Sequence, residues 1–384
     1  MHRKYYRVDD FRLAAQQRMP RVIFDYVDGA AGFETSSHLN REVIEQVRLL
    51  PRVLVDIRQR ELAKTFLGRT WGLPFGIAPM GMCNLAWPHT DKVFASAAVD
   101  HDIPVCLSTF GSSSIEDMGK RASGNGWFQL YVGPSVDDAM DLVQRAEDTG
   151  YEYLLLTVDV PVVSARPREQ RQGFEAPFRM RPRQFVDFAV HPQWVFHTLV
   201  NGVPKPANVV STGNKGNKPT FTRNEIRGHI DWQFLDQLRE RWPGKLILKG
   251  VLSTDDAVRI RDAGVDAVYV SNHGGRQLDA APAAIDMLPE IRQAVGADYP
   301  LIFDSGLRNG EGIIKALALG ADFVMLGRPF LYASGADGQR GVFRLVDMLK
   351  NEMLLAMAQI GCTDVSHLDQ NVLVRTRCCG SGKY

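Results

Sequence analysis

The densest group of chemically active side chains in the sequence lies at residues 271–279, which read Ser-Asn-His-Gly-Gly-Arg-Gln-Leu-Asp. His273 can accept a proton near neutral pH, and Arg276 can bind a carboxylate through two parallel hydrogen bonds. Asp159 follows a separate apolar run of the sequence. A carboxylate in that position can hold an imidazole in one tautomer and stabilise its charged form. This group predicts acid–base chemistry on a small organic acid.

A second group of residues is typical of phosphate binding. The chain contains Asp304-Ser305-Gly306-Leu307-Arg308 and, further on, Gly327-Arg328-Pro329. Glycine lets backbone N–H groups approach a phosphate, and arginine supplies forked donors to its oxygens. These two segments predict a phosphorylated ligand.

Lys249 ends an apolar run, so its ammonium group is expected to point into the same site. One possible role is a Schiff-base lysine in an aldolase. The other is a fixed positive charge that faces a cofactor which becomes anionic during the reaction. The residues by themselves leave both roles open.

Eight short apolar or β-branched runs must position these side chains. They cover residues 74–80, 103–108, 127–131, 153–158, 246–249, 267–271, 301–304 and 323–326. Most of the spacings fit a strand followed by one helix, and Ser253, Gly264 and Gly320 are typical of helix ends. The alternation predicts a (β/α)8 TIM barrel, in which catalytic residues lie at the carboxyl ends of the strands. An open, doubly wound sheet is the weaker alternative, because no GxGxxG motif follows the first run.

The longest gap between these runs contains a basic segment, residues 175–227. It carries eight Arg and Lys against three Asp and Glu, a local formal charge of +5, whereas the whole chain carries +1. Bulky apolar residues are interleaved with the first basic ones: Phe178, Phe185, Phe188, Trp194, Phe196 and Leu199. Such a segment can enter a lipid interface while its arginines meet anionic headgroups. It can equally be a solvated lid, and composition leaves both interpretations open.

Length and composition restrict the remaining classes of protein. The 384 residues are 45% hydrophobic with near-zero net charge, which argues against a disordered chain and against a dedicated nucleic-acid binder. The five cysteines are odd in number and never spaced as CxxC, so we expect a reducing compartment and neither a disulfide framework nor a metal site. No apolar run reaches the length of about 18 residues expected of a membrane span. We expect one domain over 1–384, with a mostly helical lead-in over 1–73 and the barrel over 74–384.

Together, these motifs resemble the FMN-dependent L-2-hydroxy-acid oxidases and dehydrogenases. The resemblance extends over essentially the whole chain. It includes Leu248-Lys249-Gly250 and the shorter matches Phe24-Asp25-Tyr26, Ala78-Pro79, Leu107-Ser108-Thr109, Phe128-Gln129-Leu130-Tyr131 and Thr157-Val158-Asp159. It implies oxidation of an L-2-hydroxy acid to the 2-oxo acid with FMN as cofactor.

The resemblance also implies a role for individual residues. FMN would contact Ala78, Ser108, Gln129, Thr157, Lys249 and Ser271, with its phosphate near Asp304, Ser305, Gly306, Arg308, Gly327 and Arg328. Lys249 would then stabilise the anionic reduced flavin, which favours the cofactor role over the Schiff base. Arg276 and Tyr26 would bind the substrate carboxylate, with Arg166 beside it. Tyr131 would contact the hydroxyl group, and His273 would act as the base with Asp159 behind it.

The long basic segment resembles the membrane-associated branch of that family, which passes electrons to a quinone or respiratory-chain acceptor. Its motif His191-Pro192-Gln193-Trp194 is similar to that of bacterial L-lactate and (S)-mandelate dehydrogenases, so (S)-mandelate or L-lactate is the expected substrate. Phe110 differs from the small residues typical of that position. The resemblance further implies a tetramer and peripheral attachment to the cytoplasmic side of the inner membrane.

Three alternatives to this function remain at the level of sequence. The first is a soluble oxidase that uses O₂ and releases hydrogen peroxide. The second is a flavin-free barrel aldolase that uses Lys249. The third is a non-enzymatic membrane scaffold, which would not require His273, Arg276, Tyr131 and Lys249 to converge.

Overall fold

Eight parallel strands form a closed barrel at the centre of the computed structural model, which describes residues 5–174, 181–209 and 230–374. The barrel strands are β3 (Phe75–Met80), β4 (Val105–Ser108), β5 (Gly126–Leu130), β6 (Tyr153–Thr157), β7 (Lys245–Val251), β8 (Ala267–Val270), β9 (Leu301–Phe303) and β10 (Phe323–Leu326). Each pairs with its neighbours in chain order, and β10 closes the ring against β3. All eight predicted runs are strands, so the barrel is confirmed and the open sheet is wrong.

Helices follow each barrel strand and surround the barrel. They are α4 (Thr90–Asp100), α5 (Ile115–Ala122), α6 (Val136–Asp148), α10 (Trp232–Arg241), α11 (Thr254–Asp262), α12 (Ala284–Val295), α13 (Gly310–Ala318) and α14 (Arg328–Ile360). The predicted helix ends are present: the Ser253 hydroxyl accepts from the Asp256 N–H at 3.2 Å, and Gly264 and Gly320 have φ of 74° and 116°. These caps satisfy backbone groups that the helices leave unpaired.

The lead-in contains a β-hairpin in addition to the expected helices. The helices are α1 (Val8–Arg18), α2 (Arg21–Asp28) and α3 (Thr35–Gln46), and the hairpin joins β1 (Lys64–Phe66) to β2 (Arg69–Trp71). Leu67 and Gly68 have φ of 48° and 86°, the left-handed pair that a two-residue hairpin turn requires. Sequence analysis did not predict this hairpin.

Aromatic side chains of the hairpin close the amino end of the barrel. The Phe66 ring centroid lies 5.2 Å from that of Phe323, and the Trp71 ring centroid lies 6.0 Å from that of Trp127. Phe323 begins β10 and Trp127 is near the start of β5. The opposite end, where the chemically active residues lie, is therefore the one open to ligands.

The described residues between β6 and α10 form three further helices, which cover part of the carboxyl end of the barrel: α7 (Pro167–Arg171), α8 (Pro182–Ala189) and α9 (Pro192–Asn201). Polar contacts attach this segment to the barrel. The Trp194 indole N–H donates to the Leu85 carbonyl at 2.9 Å, and His89 contacts Asn201 at 2.7 Å.

The outer face of this segment is apolar and exposed, and comprises Phe185, Val186, Val190, Phe196, Leu199, Val200 and Val203. Residues 175–180 and 210–227 of the predicted basic segment lie outside the described residues. Within the described ranges, no helix is both long and apolar enough to cross a bilayer.

Candidate active site

The loop after β8 places the predicted base in an unusual backbone conformation. His273, Gly274 and Gly275 have φ of 58°, 64° and 76°. A Cβ atom on Gly275 would lie 2.5 Å from the backbone nitrogen of Ser37, so only glycine fits there. The Asn272 and Asn40 side-chain amides each donate to the other at 2.8 Å, which ties the loop to α3. Sequence analysis did not identify Asn40.

A hydrogen-bonded chain connects the base to a carboxylate and a phenol. Nδ1 of His273 lies 3.1 Å from both carboxylate oxygens of Asp159, and its Nε2 lies 3.2 Å from the Tyr131 hydroxyl. The carboxylate contact assigns the proton of the neutral ring to Nδ1. Nε2 is then the atom that can accept a proton.

Burial and charge set the protonation of this pair. Burial lowers the pKa of His273 below its ordinary value, although the Asp159 charge acts in the opposite direction. Burial acts to raise the pKa of the Asp159 carboxyl, but its contacts with His273 and the Lys249 charge hold that pKa below its usual range. At neutral pH the site therefore holds an aspartate and a neutral histidine that can act as a base.

Two arginines converge on one buried carboxylate beside this chain. Arg276 Nη2 donates to Glu169 Oε1 at 2.8 Å, and Arg166 Nη1 lies 3.5 Å from the same oxygen. The Glu169 side chain is only 1% exposed. The neighbouring Arg168 instead pairs with acidic side chains of α2. Of these two neighbouring arginines, Arg166 is therefore the one that lies at the site. Glu169 was not predicted from the sequence, where its only signal is its position three residues after Arg166.

Lys249 lies in a buried polar cluster. Its ammonium donates to the Ser271 hydroxyl at 2.8 Å and lies 3.3 Å from Asp304 Oδ2. Asp304 also accepts hydrogen bonds from Ser271 at 2.5 Å, Ser305 at 2.8 Å and the Tyr269 hydroxyl at 2.8 Å. Asp304 therefore orients Lys249 and Ser271, which suits a fixed positive charge.

Two partly buried arginines lie at the predicted phosphate turns. Arg328 donates to the carbonyl groups of Gly274 and Gly29 at 2.9 and 2.8 Å, while its Nε–H is buried and has no partner among the described residues. Burial lowers the pKa of Arg328 to about 10 and also lowers that of Arg308. Neither guanidinium forms an ion pair with a carboxylate in the described ranges. Buried cations without a counter-charge are costly, so this end of the site fits an anion such as phosphate.

Other buried polar atoms also lack partners. The side-chain nitrogen of Gln129 and the Thr157 hydroxyl are buried and form no hydrogen bond with the part of the chain that the structure describes. The Ser108 hydroxyl donates to the Gln129 carbonyl oxygen at 2.9 Å, which directs the unpaired amide nitrogen elsewhere. These groups lie at adjacent strand ends and suit a ring with carbonyl and N–H groups along its edge. Together with the two arginines, they fit FMN.

One cavity of about 1200 Å³ joins these groups. Most of the predicted residues line it: Tyr26, Ala78, Ser108, Tyr131, Arg166, Lys249, His273, Arg276, Asp304, Ser305, Gly306, Arg308, Gly327 and Arg328. The other four lie directly behind this lining. Asp159 contacts His273, and Gln129 contacts Ser108. Ser271 contacts Lys249, and Thr157 is the residue opposite Lys249 in the pairing of β6 with β7.

Comparison with known proteins is consistent with this site. Residues 15–375 match the model of the FMN-dependent dehydrogenase family. The chain is 38% identical to (S)-mandelate dehydrogenase of Pseudomonas putida, over 97% of this chain and 95% of the relative. It is 35% identical to L-lactate dehydrogenase of Pseudomonas syringae pv. syringae (strain B728a), over 95% and 97% of the two chains.

Solved structures show the same similarity. The crystal structure of the monotopic membrane protein (S)-mandelate dehydrogenase aligns with a TM-score of 0.93 at 37% identity, over 97% of this chain and 100% of that one. Mandelate oxidase with (S)-4-hydroxymandelic acid aligns with a TM-score of 0.82 at 33% identity, over 96% and 98%. These relatives favour the flavoprotein interpretation over the aldolase.

We expect Arg328→Met to weaken FMN binding by about 10- to 100-fold, because it removes a cation from the expected phosphate site. Riboflavin lacks that phosphate, so its affinity should change much less. Titration of the apoprotein with each flavin, followed by flavin fluorescence, measures both constants. Equal losses for FMN and riboflavin would contradict the assignment of Arg328 to the phosphate.

Proposed function

The chain belongs to the family of FMN-dependent dehydrogenases, and from this premise we propose that it oxidises an L-2-hydroxy acid, either (S)-mandelate or L-lactate, at a membrane surface and passes the electrons to a quinone. The observation that carries the proposal is the convergence of His273, Tyr131 and Arg276 on one cavity.

Charge matching supports a monoanionic substrate. Arg276 and Arg166 contribute two positive charges, and Glu169 between them contributes one negative charge. A group of two cations and one anion suits a ligand that carries a carboxylate. A bound carboxylate is held beside the His273–Tyr131 pair, so the substrate hydroxyl comes within reach of a base.

Proton transfer is assigned to the histidine chain. Nε2 of His273 accepts a proton from the substrate, and the Asp159 carboxylate stabilises the resulting imidazolium through Nδ1. The Tyr131 hydroxyl, 3.2 Å from Nε2, orients the substrate oxygen toward the base. Bound FMN supplies the two-electron acceptor that this oxidation requires. The buried Lys249 charge favours the arrival of negative charge in this region.

Phe110 limits the space for the substrate side chain. Its ring centroid lies 5.6 Å from that of Tyr131, and both residues line the cavity. A Cβ atom on Gly81 would lie 3.1 Å from the Cβ of Phe110, so a side chain at position 81 would compete with Phe110 for the same space. We therefore place L-lactate ahead of (S)-mandelate as the substrate.

Membrane attachment is supported by the exposed apolar face on α8 and α9, which has Arg181, Arg183 and Lys205 nearby. Apolar side chains flanked by cations are typical of a surface that lies in a lipid interface. The solved relative described as a monotopic membrane protein adds weight to this arrangement. Similarity to mandelate oxidase supports a second candidate, an oxidase that uses O₂.

Anaerobic flavin bleaching with L-lactate, (S)-mandelate, glycolate and longer L-2-hydroxy acids tests the substrate, and reoxidation by a short-chain quinone or by O₂ tests the acceptor. We expect faster bleaching by L-lactate than by (S)-mandelate, and faster reoxidation by the quinone. Peroxide release that matches turnover would favour the oxidase instead.

Phe110→Ala should raise the rate of flavin bleaching by (S)-mandelate relative to that by L-lactate by about tenfold or more, because it enlarges the side-chain pocket.

We expect the rate of flavin reduction to fall in acid at a pH below 6.5, because burial lowers the pKa of His273 and only the neutral ring accepts a proton. Asp159→Asn removes the charge that raises this pKa, so its acid limb should lie at still lower pH and its maximal rate should be smaller. Stopped-flow bleaching across pH measures both the acid limb and the maximal rate.

The variant His273→Asn should bind substrate and scarcely reduce the flavin. Near-normal flavin reduction in this variant would contradict the role of His273 as the base.

Phe196→Glu should lower the ratio of membrane-bound to soluble protein by about tenfold or more, because a charge replaces an exposed side chain of the apolar face. Leu355→Glu is the matched control, since Leu355 is also exposed but lies on α14. Flotation with anionic vesicles measures the partition of each variant. Equal partition of Phe196→Glu and Leu355→Glu would argue against this face as the membrane contact.

A further inference from the structure

The active-site cavity has a second arm with a different lining. The barrel contributes the charged and polar part of the lining, including His273, Arg276 and Lys249. The part contributed by α8, α9 and the residues just after α9 is predominantly apolar and includes Phe188, Trp194, Val195, Thr198, Leu199 and Val203. A small, charged hydroxy acid has no favourable contacts in this arm, so the arm fits a different ligand.

The mouth of this arm opens on the apolar outer face of α8 and α9. Phe185, Leu199 and Val203 line the cavity and are also 65%, 69% and 65% exposed. Lys205 lies at the same opening. If this face rests on a bilayer, a molecule dissolved in the lipid reaches the cavity without crossing water. The arm therefore suits an apolar ligand that arrives from the membrane.

Thr198 gives the arm a polar group without a partner. The residue is 5% exposed, and its hydroxyl forms no hydrogen bond with the described part of the chain. The neighbouring Trp194 already donates its indole N–H to Leu85. A ligand with a carbonyl oxygen would satisfy this buried donor.

We propose that the apolar arm binds the ring of a quinone, with Thr198 donating to one of its carbonyl oxygens and Leu199 at its point of access. This inference rests on the proposed function, in which the acceptor is a quinone. The overall reaction balances without another oxidant: the hydroxy acid loses two electrons and two protons, and the quinone gains two of each to become the quinol. Substrate and acceptor thus use different parts of one cavity.

The test uses the holoenzyme on anionic vesicles, with decylubiquinone as the probe. Leu199→Trp should raise the KM for decylubiquinone by about tenfold, because it narrows the access point. Val200→Trp is the matched control: Val200 is 68% exposed on the same helix but does not line the cavity, so its KM should not change. Both variants should retain normal flavin bleaching by the hydroxy acid and normal vesicle binding.

A binding measurement accompanies these kinetics. Decylubiquinone should quench the fluorescence of Trp194, and Trp194→Phe identifies that component of the emission. Thr198→Val keeps the shape of the side chain and removes the hydroxyl, so it should weaken quinone binding by about 3- to 10-fold.

Equal KM values for the two tryptophan variants, or unchanged quenching in Thr198→Val, would overturn the inference. Failure of the proposed function has a different signature. Reoxidation of the wild type by O₂ as fast as by the quinone would refute the quinone as acceptor, whereas the quenching titration would still decide whether the arm binds it.

Discussion

Compensation of buried charge is the constraint on which the carboxyl end of the barrel depends. Lys249 lies on β7 in the barrel wall and is almost fully removed from water. Asp304, which follows β9, supplies its counter-charge. Asp159 supplies the counter-charge for the imidazolium that His273 becomes when it accepts a proton. Both pairs join residues at the ends of different strands, so they form only when strands β6 to β9 assemble side by side. Fold and chemistry are coupled through these pairs.

The same constraint indicates where anionic ligands bind. Arg276 and Arg166 both contact the single carboxylate of Glu169, and a group of two cations and one anion suits a substrate that carries a carboxylate. Arg308 and Arg328 have no carboxylate partner in the described ranges, and a phosphate monoester carries nearly two negative charges at neutral pH. The charge at the phosphate turns thus matches the charge of the ligand expected there. A protein that bound no anion there would have to keep two partly buried cations without a counter-charge, which is unfavourable.

The barrel could be predicted from sequence because its strands are buried on both faces and therefore appear as continuous apolar runs. The group around His273 was equally visible, since its residues are adjacent in the chain. Glu169 and Asn40 were not visible: their partners, Arg276 and Asn272, lie 107 and 232 residues away, and only the closed barrel brings them together. The β1–β2 hairpin was missed for a related reason, because its strands are short and gain their stability from aromatic contacts with the barrel.

Composition left two interpretations of the basic segment, a lid and a membrane surface, and the structure makes them compatible. The inner face of α9 is anchored to the barrel through Trp194 and lines the cavity, while Phe196 and Val200 of the same helix are exposed. A helix that is apolar on both faces is stable only when both faces are buried. The barrel covers one face, and a bilayer would cover the other. A single helix can therefore close the site to water and, at its edge, leave an opening toward lipid.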